Sequence, residues 1–287
     1  MTIQNYLNKQ SKIIDQALPS FLPKEKDHPT LLSQAMRYAV LSGGKRIRPI
    51  LALAACEVVG GRVQNALPAA CALELIHSYS LVHDDLPCMD KDNTRRGKPS
   101  CHVKFGEVTA LLAGDALLTL AFGILCGGGV STPRLGRGER APTRLLHRRL
   151  DVIRWISEAV GHRGMVGGQQ LDMEFRDKEP DLPSIEYINT HKSGSLIAVS
   201  AKVGAYLGGG TPQQVDFLHR YGKAVGLLFQ IVDDIMDKQG YARVIGSHDA
   251  QEEASRLVSK AKKEISSFGK KGEWLSGLAD FILTRKN

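Results

Sequence analysis

Residues 211–237 have the sequence TPQQVDFLHRYGKAVGLLFQIVDDIMD, which begins with helix-capping residues and ends in an acidic cluster. Thr211 is a favoured helix cap, and Pro212 suits the first helical position because the N–H that it lacks would have no partner there. The apolar residues that follow recur with helical spacing. We therefore predict one long helix over residues 213–237.

Helical periodicity of the same kind extends over most of the chain. No run of alternating polar and apolar residues bounded by turn residues predicts a strand. Glycines follow several of the apolar segments, as is usual at helix ends. The predicted helices cover residues 3–17, 30–41, 47–59, 64–85, 105–125, 145–161, 185–207, 213–237, 250–267 and 274–283. The sequence therefore predicts an all-α fold.

The chain is basic, with a formal net charge of +8 over 287 residues, and 43% of its residues are hydrophobic. This hydrophobic content is sufficient for a large core, in one domain or in two. The positive charge favours anionic partners in general. The basic residues are dispersed, however, and the sequence has no zinc-finger spacing or basic zipper. We therefore expect phosphorylated small molecules as partners and no nucleic acid.

Cysteine usage and the N-terminus predict a cytoplasmic protein. The five cysteines form no CxxC pair and most have apolar neighbours, so we expect reduced thiols in a reducing compartment. Residues 1–16 contain no apolar core of signal-peptide length. The apolar stretch 108–125 is interrupted by Gly114, Asp115 and Thr119, so we expect a core helix there and no membrane span.

Two segments depart from the amphipathic helical pattern. Residues 127–149 are rich in Gly and Arg, and we predict an irregular, exposed loop there. Phosphate binding by the arginines of this loop is the weaker alternative. The lysines of residues 260–271 are interpreted as a solvated helix face.

Two acidic clusters lie at the ends of apolar helical segments, LVHDDLPCMD at residues 81–90 and QIVDDIMD at residues 230–237. Neighbouring carboxylates repel one another, and the C-terminus of a helix is the negative end of its dipole. A purely structural role is therefore unfavourable at both places. Divalent cations would remove the repulsion, and carboxylate oxygens are the ligands that Mg²⁺ prefers. We predict that both clusters bind magnesium.

The spacing of the aspartates differs between the two clusters. Asp233 and Asp237 are four residues apart and project from one helical face. Asp84 and Asp90 are six residues apart and would diverge on a straight helix. Pro87 interrupts the helical hydrogen bonds between them, and a bend there would bring both carboxylates toward one ion.

Three basic motifs accompany the acidic clusters. GGKRIRP at residues 43–49 combines a flexible turn, three cations and a helix start, which suits a phosphate group. Arg95 and Arg96 follow the first cluster, and arginine forks match phosphate oxygens. Lys192 lies beside the hydroxyl of Ser193. Each motif alone is equally well explained as surface charge, but together they predict diphosphate binding.

In this combination the sequence resembles the trans-prenyl diphosphate synthases, and within them the bacterial farnesyl diphosphate synthases. Good matches cover most of residues 30–125 and 155–240, and the order of the motifs is highly specific. The matching stretches are GGKRIRP (43–49), ELIHSYSLVHDDLPCMD (74–90), RRGKPSCH (95–102), LLAGDALL (111–118), GHRGMVGGQQLDM (161–173), HKSGSLI (191–197) and GLLFQIVDDIMD (226–237).

The resemblance implies a single domain over residues 1–287, built as a bundle of long helices around a central cavity and usually found as a homodimer. The two acidic clusters would face each other across the mouth of that cavity. Three Mg²⁺ ions per active site are implied, with Mn²⁺ as the alternative metal. The implied metal ligands are Asp84, Asp90, Asp233 and Asp237.

The implied reaction joins isopentenyl diphosphate to dimethylallyl diphosphate and then to geranyl diphosphate, giving farnesyl diphosphate. Metal ions and cationic side chains would stabilise the leaving diphosphate, so that the allylic C–O bond ionises. The implied isopentenyl diphosphate site comprises Gly44, Lys45, Arg48, His77 and Arg96. The implied allylic site comprises Arg95, Lys192, Ser193 and Gln230. The implied catalytic residues are Lys192, Gln230, Asp85 and Asp234.

Product length in this family depends on a bulky residue five positions before the first aspartate, which closes the floor of the cavity. Tyr79 occupies that position before Asp84. At 1.5 Å per residue it would lie about 7.5 Å down the helix, so a longer prenyl chain would meet its ring. We therefore expect short products.

The resemblance fails after Asp237. The Gly-Lys and Lys-x-Thr-Tyr elements that usually follow have no clear counterpart, and residues 238–260 form a shortened segment. A catalytically weak or inactive regulatory subunit is therefore the alternative to an active synthase. A class I terpene cyclase is less favoured, because it would not need Lys45, Arg48 and His77.

Overall fold

A computed structural model of the chain describes residues 2–127, 143–176, 178 and 180–285. Helices dominate it, which confirms the all-α prediction. The α-helices are α1 (Ile3–Phe21), α2 (Thr30–Leu41), α3 (Ile47–Val58), α4 (Val63–Asp84), α5 (Cys101–Phe105), α6 (Glu107–Leu125), α7 (Thr143–Val160), α8 (Met165–Glu174), α9 (Leu182–Ile188), α10 (Ser195–Leu207), α11 (Pro212–Asp237), α12 (Gly240–Ile245), α13 (Ser247–Glu264) and α14 (Glu273–Thr284). A π-helical turn, Asn189–Gly194, joins α9 to α10, and a 3₁₀ turn, Ser266–Gly272, joins α13 to α14.

The helix predicted at residues 213–237 is α11. The Oγ1 atom of Thr211 accepts a hydrogen bond from the N–H of Gln214 (3.2 Å), and the side chain of Gln214 accepts one from the N–H of Thr211 (2.9 Å). This reciprocal capping box satisfies two backbone donors at the helix start. At the other end, Lys238 adopts a left-handed conformation (φ 54°), which stops the helix after Asp237.

A short hairpin is a departure from the helical pattern that the sequence did not predict. Thr94–Arg95 (β1) pairs in antiparallel register with Lys98–Pro99 (β2). Arg96 (φ 55°) and Gly97 (φ 71°) form the turn, and two positive φ angles match the twist of a tight hairpin. Because each strand has two residues, no alternation of polar and apolar residues could mark it in the sequence.

Two long predicted helices differ from the structure. The helix predicted at 105–125 is α6, which begins at Glu107, because the φ of 87° at Gly106 is incompatible with a continuing α-helix and separates α6 from the short helix α5. The helix predicted at 185–207 is interrupted by the π-helical turn. Helices α8 and α12 lie where no helix was predicted, because both are short and weakly periodic.

The predicted irregular segment 127–149 ends earlier than expected. Helix α7 begins at Thr143 and continues to Val160. Residues 128–142 lie outside the described part of the chain, so the loop predicted there stays a prediction.

Backbone contacts divide the chain into two compact units, and the single-domain prediction stays a prediction. The N-terminal unit comprises Asn8–Ile50 and Leu67–Ile153, and the C-terminal unit comprises Met1–Leu7, Leu51–Ala66 and Arg154–Asn287. Each unit has its own core of fully buried apolar side chains. Examples are Ile14, Leu18, Leu73, Ile76 and Leu117 in the N-terminal unit, and Ile156, Leu196, Leu218, Tyr221 and Leu228 in the C-terminal unit.

Helix α6 is the one helix of the described residues that is long and apolar enough to cross a membrane by length and composition. Its mean hydropathy is 2.0, and 39% of the apolar window is buried. Val108, Leu111 and Leu112 are exposed on it. The absence of a membrane span stays a prediction.

Candidate active site

The first acidic cluster lies on a turn that follows α4 in the N-terminal unit. The N–H of Asp90 donates to the carbonyl oxygen of Asp84 (2.8 Å), and the N–H of Lys91 donates to that of Leu86 (3.1 Å). The chain therefore bends around Pro87, as predicted, and the backbones of Asp84 and Asp90 lie next to each other. A straight helix would have separated them.

Asp85, between these two residues, is buried and paired with Arg95. Its carboxylate is 2% exposed and accepts hydrogen bonds from Nε (3.0 Å) and Nη2 of Arg95. Arg95 also contacts Asp92 (Nη2 to Oδ2, 3.0 Å). Burial raises the pKa of Asp85, and the neighbouring guanidinium opposes that rise. Asp85 thus positions Arg95, which the sequence assigned to the allylic site.

Arg46 stabilises the turn that precedes α3. It is 3% exposed and adopts a left-handed conformation (φ 52°). Its Nη1 donates to Glu74 (2.6 Å), its Nε donates to Asp15 (2.9 Å), and its Nη2 donates to the carbonyl oxygen of Val40 (2.8 Å). One of the three cations in GGKRIRP therefore has a structural role.

Gly44 leaves space for the Arg96 guanidinium. A Cβ atom on Gly44 would lie 2.6 Å from Cζ of Arg96, and the φ of Gly44 is 131°, a conformation that disfavours any side chain. Nη1 of Arg96 donates to the carbonyl oxygen of Gly43. Burial lowers the pKa of Arg96. A substitution at Gly44 would displace Arg96 from this turn.

His77 lies among several guanidinium groups. Its pKa is lowered well below the ordinary value, first by burial and then by neighbouring positive charges. In order of effect, these charges belong to Arg48, Arg96, Arg46 and Arg95. Two further residues predicted to bind isopentenyl diphosphate, Arg48 and Arg96, thus contribute positive charge at His77. Lys45, also predicted for this site, is exposed on the turn before α3.

The second acidic cluster lies at the end of α11 in the C-terminal unit. Oδ1 of Asp233 accepts a hydrogen bond from Nη2 of Arg285, a residue that the sequence analysis did not assign. Asp237 is exposed. Ser193 and Gln230, assigned to the allylic site, are half-buried in the same unit.

Asp234 fixes the start of α12. Its Oδ2 accepts hydrogen bonds from Nδ2 of Asn189 (3.1 Å) and from the N–H of Tyr241 (2.9 Å). A Cβ atom on Gly240 would lie 2.6 Å from the same oxygen. Burial raises the pKa of Asp234, and its two hydrogen bonds oppose that rise. The carboxylate predicted to be catalytic thus connects the π-helical turn with α12.

Lys192 lies on the π-helical turn, a rare conformation that is frequent at functional sites. Its Nζ donates to Oδ2 of Asp172 on α8 (2.6 Å). The sequence analysis missed Asp172 as a site residue, although it lies in the matching stretch GHRGMVGGQQLDM. The pair directs the ammonium group toward α8.

Two glycines permit close packing around this turn. A Cβ atom on Gly168 would lie 2.2 Å from the backbone nitrogen of Lys192, and one on Gly226 would lie 2.9 Å from Cα of Gly194. Helices α8 and α11 therefore approach the π-helical turn at backbone distance. This packing fixes the position from which the Lys192 side chain projects.

Tyr79 is buried on α4, beside His83, which packs against α6. Its ring meets His83 edge to face, with centroids 5.7 Å apart. Nε2 of His83 lies 2.9 Å from the carbonyl oxygen of Leu111. A Cβ atom on Gly114 would lie 2.1 Å from the same nitrogen of His83. Burial, with a smaller effect of Asp84, raises the pKa of Tyr79 to about 12. The phenol is therefore neutral and held by its neighbours.

Comparison with known proteins identifies the family. The polyprenyl synthetase family matches residues 29–265. Geranylgeranyl pyrophosphate synthase 4 of Arabidopsis thaliana is 38% identical over an alignment of 305 positions, gaps included, that covers 98% of this chain and 78% of that protein. Geranylgeranyl diphosphate synthase of Cyanophora paradoxa is 37% identical over an alignment of 302 positions, which covers 98% of this chain and 96% of that protein.

Solved structures agree with this result. An FPP/GFPP synthase from Zymomonas mobilis has a TM-score of 0.87 at 35% identity, covering 98% of this chain and 99% of that chain. A putative farnesyl-diphosphate synthase from Marinomonas sp. has a TM-score of 0.84 at 36% identity, covering 99% of both. These likenesses confirm the isoprenoid synthase-like helical fold. The chain belongs to the polyprenyl synthetase family and is a prenyltransferase.

Proposed function

We propose that the chain joins isopentenyl diphosphate to dimethylallyl diphosphate and then to geranyl diphosphate, and releases farnesyl diphosphate. The observation that carries the proposal is the Arg96 guanidinium held on the Gly43–Gly44 turn, with His77 in the positive field of Arg96 and Arg48, in the unit that also contains the first acidic cluster. A diphosphate is the substrate group that such a cationic site binds well. Family membership supports the prenyl part of the substrate.

The isopentenyl diphosphate site would be built mainly by Arg48 and Arg96. The charge of Arg46 is already balanced by Glu74 and Asp15. His77 is neutral because its pKa is lowered, so it can donate one ring N–H to a phosphate oxygen. Together these groups would orient the isopentenyl double bond toward the allylic substrate.

Asp84 and Asp90 on the first turn, and Asp233 and Asp237 on α11, would hold Mg²⁺. Within the described ranges, no group of three or more His, Cys, Asp or Glu side chains could hold an ion by itself. A bound ion would therefore also need oxygens of the substrate diphosphate, and Mg²⁺ usually binds through one or two carboxylates and substrate phosphates. When bound, the ion would supply Lewis-acid stabilisation of the leaving diphosphate. Three ions per site, with Mn²⁺ as the alternative, are part of the proposal.

The allylic diphosphate would be bound by Arg95, Lys192, Ser193 and Gln230. Arg95 is positioned by the buried Asp85, so its guanidinium needs little ordering when substrate arrives. The Lys192 ammonium is likewise oriented by Asp172. Preorganised cations of this kind stabilise negative charge that develops on a leaving group.

The length of the product is proposed from Tyr79. Its ring is buried, held by His83 and located five residues before Asp84 on α4. Geranylgeranyl diphosphate is the second candidate product, because the Arabidopsis and Cyanophora relatives are named for it. Tyr79 supports the shorter farnesyl product, since a chain that grows along α4 would meet a fixed ring.

We expect Tyr79→Ala to lengthen the product beyond fifteen carbons, because it removes the ring that limits the cavity. Tyr79→Phe keeps the ring and should keep the wild-type product. Both are checked by chromatography of the dephosphorylated products. Wild-type enzyme that releases mainly the twenty-carbon product, or an alanine variant with an unchanged product, would contradict the role of Tyr79.

An inactive or weakly active regulatory subunit remains the competing candidate, and one observation favours it. Helix α12 begins at Gly240, three residues after α11 ends at Asp237, so the shortened segment leaves little chain beside the second acidic cluster. Purified protein incubated with Mg²⁺, dimethylallyl diphosphate and labelled isopentenyl diphosphate distinguishes the two. A synthase makes longer linear diphosphates by itself, whereas a regulatory subunit makes none without a partner.

We also propose a cytoplasmic homodimer. The apolar side chains exposed on α6, Val108, Leu111 and Leu112, form a surface that a second copy would cover. All five cysteines are free thiols, as expected in a reducing compartment. Sedimentation equilibrium should give twice the chain mass of 31.3 kDa, and a monomer mass at micromolar concentration would contradict the dimer.

A further inference from the structure

We infer that Arg285 sets the metal affinity of the second acidic cluster by pairing with Asp233 until a diphosphate is present. The inference rests on the proposed function, because it concerns the proposed metal ligand Asp233. It assigns a role to a residue at the end of the last helix, outside the motifs that carried the family resemblance. In this role Arg285 is a positioning residue that acts through Asp233.

Several contacts fix Arg285 on α11. Nη2 of Arg285 donates to Oδ1 of Asp233 and to the carbonyl oxygen of Phe229 (3.0 Å). Cζ lies 3.8 Å from the centroid of the Phe229 ring, a cation–π contact. The side chain of Arg285 is 5% exposed, whereas that of Asp233 is 35% exposed. The guanidinium therefore covers one side of the carboxylate, and the other side still reaches solvent.

The neighbouring aspartates do not restore the negative charge that this pairing offsets. Asp234 is engaged by Asn189 and by the backbone of Tyr241. The proposed ligands of this cluster are therefore Asp233 and Asp237, and a positive charge is in direct contact with the first of them. A divalent cation that approaches Asp233 is repelled by the guanidinium, and the pairing also lowers the negative charge available to the cation.

A diphosphate changes this balance. It brings several negative charges, which offset the guanidinium and attract the metal at the same time. Nε of Arg285 is buried and has no hydrogen-bond partner among the described residues, so the present arrangement leaves one donor unsatisfied. The pairing is therefore able to weaken or rearrange when metal and diphosphate bind together. The metal should bind weakly alone and tightly with the diphosphate.

The test measures Mn²⁺ binding by electron paramagnetic resonance of the free ion. Asp84→Asn and Asp90→Asn are present throughout, so that only the second cluster binds. Without a diphosphate, Arg285→Met should lower the Mn²⁺ Kd by roughly fivefold or more, because one repelling charge is removed. Arg285→Lys keeps the charge and should stay within about twofold of the parent. With geranyl thiodiphosphate, the difference between Arg285→Met and the parent should shrink to about twofold or less.

Each outcome decides the matter. Unchanged or weaker Mn²⁺ binding in Arg285→Met overturns the inference and leaves the proposed metal site intact, provided that the parent binds Mn²⁺ with the analogue. If no variant binds Mn²⁺, with or without the analogue, the proposed metal site of the second cluster and the inference are both overturned. Adding Asp233→Asn to Arg285→Met should abolish the gain in Mn²⁺ affinity. If Arg285→Met fails to fold in a thermal melt, Arg285→Gln provides the same loss of charge with a polar side chain.

Discussion

The two acidic clusters have similar sequences, and in each an aspartate is paired with an arginine. In the first cluster, Arg95 binds Asp85, which is not one of the proposed metal ligands. In the second cluster, Arg285 binds Asp233, which is a proposed metal ligand. A guanidinium in contact with a carboxylate lowers the negative charge that this carboxylate offers a metal, so similar acidic motifs need not bind metal equally.

The backbone also differs between the clusters. The first bends around Pro87, so that the N–H of Asp90 reaches the carbonyl oxygen of Asp84. The second stays on a continuous helix, and Oδ2 of Asp234 accepts a hydrogen bond from the N–H of Tyr241 at the start of α12. The first cluster shares its unit with the guanidinium groups around His77. We therefore expect the first cluster to contribute more to metal and substrate binding than the second.

The largest expected effect is that of Asp84→Asn. Loss of a carboxylate ligand should lower kcat by about a thousandfold, equivalent to roughly 4 kcal/mol of transition-state stabilisation. Steady-state assays with Mg²⁺ and geranyl diphosphate would measure it. Asp115→Asn, a change at an exposed aspartate on α6 in the same unit, is the matched control and should have little effect. Equal, small losses in both variants would contradict the role of Asp84 as a metal ligand.

A smaller effect concerns the cationic site and pH. The pKa of His77 is lowered in the folded chain, so the folded state favours the neutral ring. The stability that depends on this neutral ring is present above the unfolded pKa of about 6.5 and is lost as pH falls below it. His77→Gln should therefore reduce the loss of unfolding free energy between pH 7.5 and 5.5 by about 1 kcal/mol.

Urea denaturation at the two pH values measures this difference. His248→Gln provides a matched control, the same substitution at a histidine whose side chain is 83% exposed. An identical pH dependence in the His77→Gln variant and the wild type would show that neither burial nor the neighbouring arginines disfavour the protonated ring of His77 in the folded chain.

Much of the fold could be predicted because its signals are local. The Thr211 cap, the helical spacing and the aspartates define α11 without reference to the rest of the chain. The hairpin at Thr94–Arg95 and Lys98–Pro99 could not be predicted, because it has too few residues to show a period. The π-helical turn depends on close packing at Gly168 and Gly226, which residues far apart in sequence create.

The residue types of the site could be predicted, but which side chains interact with one another could be predicted only in part. The family resemblance implied that Arg48, His77 and Arg96 belong to one site, and in the structure Arg48 and Arg96 both lower the pKa of His77. It did not separate the structural cation Arg46 from its neighbours in GGKRIRP, because that role depends on Glu74 in another helix. The contact of Arg285 with Asp233 likewise depends on tertiary packing.

The most direct measurement is a crystal structure of the protein with Mg²⁺, geranyl thiodiphosphate and isopentenyl diphosphate. We expect electron density for a metal ion bound by Asp84 and Asp90, and for the isopentenyl diphosphate on Arg48, His77 and Arg96. Isopentenyl diphosphate bound away from these three residues, with no metal at Asp84, would contradict the proposed site.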